Sequence, residues 1–260
     1  MNLSNSNRDH QPDEPDYHGP EHPGYSGSGM GREPVFNLPS VIVWLAAFMF
    51  VVHLVREYLL QPEQNVWTIY AFSFIPARYS DIATQLPIEM AAWWSPVTYA
   101  FLHGGWAHLF MNLLWMAAFG TPLARRVGTA RFLILSVIAA LGGALLHLMF
   151  HIGDLVPVIG ASAVVSGHMG AAARFAFQGG RRGMITADGP ALTLAQSFTN
   201  RVFLTFMGVW MAINLVFGSG AIPIAGADQP IAWQAHIGGF LAGLFFFSLF
   251  DRIKPQSNLI

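Results

Sequence analysis

The chain has 260 residues, of which 53% are hydrophobic and only 10% are charged, with a net charge of −1. A soluble domain carries about 25% charged residues, so this composition indicates a membrane protein. The balanced charge leaves no basic field to attract phosphate, which argues against a nucleic-acid partner. The chain contains no cysteine, which excludes disulfides, thiolate catalysis and cysteine metal sites.

The first segment, residues 1–37, differs in composition from the rest. It is rich in Pro, Gly, Asp, Glu and His and poor in aliphatic residues. Such a segment cannot bury enough apolar surface to fold alone, so we expect a disordered tail. It lacks a basic stretch followed by an apolar run, so it does not resemble a signal peptide. Its histidines, His10, His18 and His22, could bind metal weakly, but a solvated tail is the stronger interpretation.

Six apolar segments follow, and a helix needs roughly 20 apolar residues to cross a bilayer. They lie at about 38–59, 105–121, 130–151, 160–177, 201–218 and 231–250. The second and fourth are short and rich in glycine, so hydropathy supports them less strongly. The sequence therefore predicts an all-α, six-span bundle over residues 38–251, followed by a short cytoplasmic tail at 252–260.

Basic residues predict the orientation of these spans. With six spans, eleven of the thirteen Lys and Arg residues fall on one side, and the exceptions are Arg56 and Arg78. Because basic residues stay on the cytoplasmic side, both termini are expected in the cytoplasm. The long connection at about 60–104 then lies outside, and its Trp and Tyr residues predict a structured loop lying partly at the headgroup level.

Polar residues inside the predicted spans are functional candidates, because hydrocarbon cannot solvate them. They are His103, His108 and Asn112 in the second segment, Ser162, Ser166 and His168 in the fourth, and Gln234 and His236 in the sixth. These three segments run in the same direction, so Asn112, Ser162 and His236 fall at a similar depth. At about 1.5 Å per residue, Ser162 and His236 lie within roughly 10 Å of the outer helix ends.

Small residues form a stripe on the fourth segment and another on the sixth. The stripes are Ser162, Ser166 and Gly170, and Ala232, His236, Gly239 and Gly243. Small residues let helix backbones approach closely, so these stripes can meet and bring Ser162 to face His236. Packing alone explains the glycines and alanines. It does not explain an imidazole, which needs a partner when it is buried.

Three stretches together resemble the rhomboid family of intramembrane serine proteases. They are "HGGWAHLFMN" in the second segment, "GASA" at the start of the fourth and "AHIGG" in the sixth, within a resemblance that covers roughly 38–251. The resemblance implies that Ser162 is a nucleophile and His236 its base, with His108 and Asn112 lining the oxyanion site. We expect Gly160, Ser166 and Gly239 to pack this site.

The sequence departs from the family pattern at two positions. Ala163 follows the expected nucleophile where the family has glycine, and its Cβ is expected to crowd the turn or the scissile carbonyl. Ser166 stands where some relatives have a tyrosine that stacks on the histidine. We therefore expect the His236 ring to be held in another way, such as by a hydrogen bond.

No acidic residue lies inside a predicted span, so the sequence predicts a Ser–His dyad without an acidic third member. Asp228 precedes His236 by eight residues, about 12 Å along a helix, which is too far for a hydrogen bond. His147 and His151, with Asp154 nearby, have a spacing that can bind zinc, but the H-E-x-x-H pattern is absent and we expect no metal or other cofactor. His53 and His168 are expected to hydrogen-bond within the bundle.

The leading interpretation is a serine endopeptidase that cleaves transmembrane proteins in or near their own span. Its partners would be those substrates and the lipid bilayer, and its location an integral multi-pass protein of a bacterial inner membrane. The alternative is a catalytically inactive rhomboid-like protein that binds membrane clients, which Ala163 keeps open. A small transporter is a weaker interpretation, because the spans lack charge and an evident repeat.

Overall fold

The structure is a computed structural model that describes Met1 and residues 37–176, 189–219 and 232–253. The chain divides after Asn37, and the helices described below belong to the second unit, Leu38–Ile260. Most of the predicted N-terminal tail, with its three histidines, lies outside the described residues, as do Asp228 and most of the C-terminal tail.

The described residues form an all-α structure. Its α-helices are α1 Ser40–Tyr58, α2 Pro62–Phe72, α3 Ser95–Thr98, α4 Trp106–Trp115, α5 Thr121–Val127, α6 Thr129–His151, α7 Ser162–Ala173, α8 Leu194–Ser197, α9 Arg201–Gly218 and α10 Trp233–Phe250. Short 3₁₀ helices lie at Pro76–Tyr79, Ala83–Gln85, Glu89–Ala92 and Tyr99–Phe101, and a π-helical segment, Met116–Gly120, joins α4 to α5. Strand-type pairing within the described ranges is limited to one antiparallel bridge between Phe74 and Val158.

Among the described residues, four helices are long and apolar enough to cross a membrane, namely α1, α6, α9 and α10. They match the first, third, fifth and sixth predicted segments within two residues at each end, and they make the protein an integral membrane protein. The second predicted segment corresponds to the continuous helical stretch from α4 through α5. The fourth corresponds to α7, which has only 12 residues. Length and composition thus support four of the six predicted spans.

Two buried arginines, Arg56 and Arg78, hold the connection between α1 and α4. They are the two basic residues that the predicted topology places on the outer side. Arg56, near the end of α1, donates to the carbonyl oxygen of His103 over 2.9 Å and to Asn65 Oδ1 over 3.0 Å. The Arg78 guanidinium donates to three backbone carbonyl oxygens, those of Tyr70, Pro87 and Ile88. The predicted structured loop is therefore organised by arginine side chains bound to backbone.

Three helices, α6, α7 and α10, form the tightly packed centre of the bundle. Ten of the twelve residues of α7 are buried, so this helix has no exposed face. A methyl group at Gly239 would overlap the carbonyl oxygen of Ala163, and one at Gly243 would overlap that of Gly167. The residue numbers of both partners increase by four from the first pair to the second. The helices α7 and α10 therefore run parallel, with their backbones in contact.

The contact surface of α7 is rotated by one residue from the predicted stripe. Ala163, Gly167 and Gly170 meet α10, instead of Ser162, Ser166 and Gly170. The prediction for Gly239 and Gly243 on α10 is confirmed by the same contacts. On α7 the prediction is confirmed for Gly170 and wrong for Ser162 and Ser166. Serine and glycine are both small, so sequence spacing alone does not distinguish two adjacent small-residue rows.

Ala163 packs towards α6, away from the crowded turn that the sequence predicted. A methyl group at Gly143 of α6 would lie 2.6 Å from Ala163 Cβ and 2.8 Å from the carbonyl oxygen of Ala235. The absence of a side chain at Gly143 therefore leaves the space that the Ala163 methyl fills, and Ala163 is fully buried. The expectation that this methyl crowds the turn is wrong for the structure.

Candidate active site

Ser162 is the first residue of α7, directly after a glycine turn. Gly160 has φ of +119°, a conformation that residues with a Cβ rarely adopt. Its N–H donates to the carbonyl oxygen of Tyr99 over 3.0 Å, and the next N–H, of Ala161, donates to His103 Nε2 over 3.5 Å. These bonds hold the turn, while the first N–H groups of α7 have no partner within the helix.

His108, in the first turn of α4, lies against this turn. A methyl group at Gly160 would lie 2.6 Å from His108 Nε2 and 3.7 Å from Ser162 Oγ, so the imidazole and the hydroxyl flank the same glycine. The Gly104 N–H donates to His108 Nδ1 over 3.5 Å. Because Nδ1 is an acceptor, the proton of the neutral ring is on Nε2, which makes Nε2–H a donor beside the turn.

Asn112 lies one turn further along α4 and is buried. Its Nδ2 donates to the carbonyl oxygen of His108 over 2.9 Å, which ties the amide to its own helix. An amide nitrogen carries two hydrogens, so this bond occupies one donor of Asn112.

His236 lies in the first turn of α10 and is hydrogen-bonded to a residue that the sequence interpretation did not select. Its Nδ1 lies 2.6 Å from Oδ1 of Asn214 on α9. Asn214 is buried, and its Nδ2 donates to the carbonyl oxygen of Trp210 over 2.8 Å. The sequence did carry a signal, since Asn214 is a polar residue inside the fifth predicted span, in its last third.

The packing of α7 against α10 brings Ser162 and His236 to the same end of the two helices. Gly239 meets Ala163, and His236 lies one turn before Gly239 while Ser162 directly precedes Ala163. Both side chains are partly exposed. Between these two described residues the structure has no hydrogen bond. Catalytic hydrogen bonds are often long without substrate and tighten when it binds. Ser166 lies one turn deeper and is buried.

A different serine and histidine are hydrogen-bonded deeper in the bundle. Ser136 Oγ on α6 lies 2.9 Å from His168 Nε2 on α7. The same hydroxyl donates to the carbonyl oxygen of Phe132 over 2.8 Å, so His168 Nε2–H donates to Ser136. His168 is fully buried, and its ring packs on Phe132 with centroids 4.6 Å apart. The prediction that His168 hydrogen-bonds within the bundle is confirmed.

The comparison with protein families decides the identity of the fold. The model of the family described as "Rhomboid domain" matches residues 90–252, which is more than half of the chain. The chain belongs to the rhomboid family. The match starts after α1 and α2 and contains α4, α7, α9 and α10, the helices that carry the residues described above.

Several curated rhomboid proteins are similar to this chain. Rhomboid protease GluP of Bacillus subtilis is 28% identical over 61% of this chain and 26% of its own length. Rhomboid protease GlpG of Serratia proteamaculans is 28% identical over 58% of this chain and 46% of its own. RHOMBOID-like protein 4 of Arabidopsis thaliana is 29% identical over 64% and 36%. The matches thus span less than half the length of each of these relatives.

The remaining predicted histidines of this rhomboid chain are His147, His151 and His53. His151 Nδ1 and Asp154 Oδ2 are 2.7 Å apart, and the rings of His147 and His151 stack with centroids 4.2 Å apart. Within the described part of the chain, no group of three or more His, Cys, Asp or Glu side chains could hold a metal ion. His53 was expected to hydrogen-bond. Instead its ring packs edge-on against Trp106, and neither ring nitrogen has a partner among the described residues.

Proposed function

We propose that this protein is an intramembrane serine endopeptidase in which Ser162 is the nucleophile and His236 the general base. The observation that carries the proposal is the backbone contact between Ala163 and Gly239. It brings the side chains of Ser162 and His236 to the N-terminal ends of the parallel helices α7 and α10. The names of two similar proteins, rhomboid proteases of Bacillus subtilis and Serratia proteamaculans, agree with a proteolytic activity.

The proposed reaction follows from the groups around the turn. Ser162 Oγ attacks the scissile carbonyl carbon while His236 Nε2 takes the hydroxyl proton, and His236 then gives that proton to the leaving amine. Water hydrolyses the acyl-enzyme by the same proton transfers in a second round. The developing oxyanion would be stabilised by His108 Nε2–H, by backbone N–H groups at the start of α7 and by the second N–H of Asn112.

The membrane arrangement of the proposed enzyme has six crossings and both termini in the cytoplasm. The second and fourth crossings would be the α4–α5 stretch and α7, which start at the same end of the bundle as α10. Water and substrate would then reach Ser162 from the outer side, and the substrates would be transmembrane proteins whose span unwinds near the cut. For a bacterial cell this places the protein in the inner membrane.

The buried Ser136–His168 pair is the competing nucleophile–base assignment. Its two side chains are hydrogen-bonded to each other, whereas those of Ser162 and His236 are not. However, Ser136 is bonded to a backbone carbonyl, and the fully buried His168 ring donates to it. A histidine that donates to the serine cannot accept the serine proton. The geometry therefore favours Ser162, and an inactive protein that binds membrane clients is the other outcome to be tested.

Labelling with a fluorophosphonate probe tests the assignment. The purified full-length protein is compared with Ser162→Ala, Ser136→Ala, Ser166→Ala and His236→Ala variants. We expect labelling to vanish in Ser162→Ala and His236→Ala and to persist in the other two. Labelling that survives Ser162→Ala but not Ser136→Ala would transfer the role to the buried pair. Absence of both labelling and cleavage of model spans in the unaltered protein would favour the inactive alternative.

A further inference from the structure

We infer that Asn214 of α9 is a positioning residue that fixes the tautomer and orientation of His236. This inference deepens the proposed function and rests on it. The carrying observation is the 2.6 Å distance between Asn214 Oδ1 and His236 Nδ1. This hydrogen bond joins α9 to α10, and its two residues are 22 apart in sequence, so it is not a local bond within one helix.

The orientation of the Asn214 amide is defined by its second bond. Its Nδ2 donates to the Trp210 carbonyl oxygen over 2.8 Å, one turn earlier in α9. A carbonyl oxygen can only accept, so the atom bonded to it must be the amide nitrogen. Oδ1 is therefore the atom that faces His236. Because an amide oxygen can also only accept, His236 Nδ1 must carry the hydrogen.

This assignment has a direct chemical consequence for His236. A neutral imidazole has one protonated nitrogen, so the hydrogen on Nδ1 leaves Nε2 with a free lone pair. Only a ring with a free Nε2 can take the Ser162 proton in the proposed reaction. When the ring becomes an imidazolium, the bond from Nδ1–H to Asn214 Oδ1 becomes charge-assisted and strengthens.

The neutrality of Asn214 suits its place in a helix apolar enough to span a membrane. A carboxylate at this depth would be expensive to bury, whereas an amide needs only its hydrogen bonds. Asn214 is 6% exposed and has one donor and one acceptor bond. The competing interpretation is that Asn214 only attaches α9 to α10, as polar residues do between membrane helices.

The tautomer itself gives a test that does not depend on proteolysis. Nitrogen-15 NMR of the full-length protein, labelled at histidine, separates Nδ1–H from Nε2–H rings. We expect the His236 signal, identified by its loss in His236→Ala, to report Nδ1–H. Asn214→Leu removes the hydrogen-bond acceptor and keeps a side chain of similar volume. In this variant we expect the His236 signal to shift towards that of an Nε2–H ring. An unchanged Nδ1–H signal in Asn214→Leu would overturn the inference.

Kinetics of the same variants separate positioning from simple helix packing. We expect Asn214→Leu to lower kcat on a model transmembrane substrate, and the fluorophosphonate labelling rate, about 10- to 100-fold, with KM within about twofold. Asn214→Gln retains a neutral amide oxygen as acceptor and should keep more of both rates than Asn214→Leu. A labelling rate in Asn214→Leu equal to that of the unaltered protein would contradict the inference.

The matched packing control is Trp210→Phe, one turn away on the same helix. Trp210 stacks on Phe240 of α10 with centroids 4.5 Å apart. We expect Trp210→Phe to lower thermal stability in detergent without lowering kcat. If both variants lose kcat in proportion to stability, Asn214 acts through packing and the inference fails. If instead Ser162→Ala keeps the labelling, the proposed function fails while the NMR result still decides the tautomer.

Discussion

Replacing Gly239 with alanine should disable the protein by separating α10 from α7. A methyl group at this position would lie 2.7 Å from the carbonyl carbon of Ala163, 3.1 Å from its Cα and closer still to its oxygen. Carbon atoms in contact prefer about 3.5–4.0 Å, so α10 would have to move by about 1 Å. The obstacle is backbone of a helix buried on all sides, so no side chain can rotate away.

Two magnitudes follow from that displacement. Overpacking of a well-packed interior costs typically about 1–3 kcal/mol, and the backbone contact puts Gly239→Ala at or above the upper end, about 3 kcal/mol. A misplacement of about 1 Å in an active site costs about 100-fold in rate. Since His236 lies one turn from Gly239, we expect the fluorophosphonate labelling rate to fall by about that factor in whatever protein remains folded.

The assay compares Gly239→Ala with Gly208→Ala in detergent micelles. Gly208 of α9 has no atom within 4 Å of an added methyl group. Removing a mid-helix glycine there should stabilise the fold by up to about 1 kcal/mol. Unfolding midpoint and labelling rate are measured for both. If Gly239→Ala unfolds and labels like Gly208→Ala, the backbone contact between α7 and α10 does not exist as described, and the argument for the site loses its main support.

Two further predictions concern the residues beside the turn. Ala163→Gly should keep the labelling rate within about twofold, because the methyl faces Gly143, and should lower helix stability by about 1 kcal/mol. A large gain in labelling would show that the methyl does crowd the site. His103 lies in the connection before α4, outside the helices, and burial lowers its pKa to about 3. Its unfolded-state pKa is about 6.5, so the unfolded state binds more protons between these values and stability should fall as pH drops from 6.5 towards 3. His103→Asn should flatten that part of the stability curve measured by thermal unfolding in micelles, and a curve as steep as that of the unaltered protein would refute the assignment.

Sequence patterns were sufficient for the apolar helices but not for the relation between them. Hydropathy located α1, α6, α9 and α10 within two residues, because a long apolar run has few other structures available to it. The rotation of α7 depends on which small residue meets α10. Ser166 and Gly167 are both small enough for that contact, so only the three-dimensional packing distinguishes them.

The hydrogen bond between Asn214 and His236 was not predicted from family motifs. The polar residues that the sequence analysis selected lie in segments that match family stretches, and the fifth segment has no such stretch. The general rule that polar residues inside spans are functional candidates applies equally to Asn214. The hydrogen-bond partner of Asn214, however, is fixed only by the packing of α9 beside α10. The stacking of Trp210 on Phe240 is part of that packing.

Polar groups differ between the two ends of the described bundle in a way that fits the proposed chemistry. At the end where α5 and α10 finish, Arg126 forms a buried ion pair with Asp251, with Nε and Oδ1 2.8 Å apart. At the opposite end, where α7 and α10 start, His236 is held by the neutral amide of Asn214. Neutralising one partner of a buried ion pair leaves the other charge uncompensated, whereas an imidazole bonded to an amide can gain and lose a proton without leaving a buried carboxylate unpaired. The proposed proton transfer thus lies at the end that holds Ser162, and the buried ion pair of Arg126 lies at the opposite end.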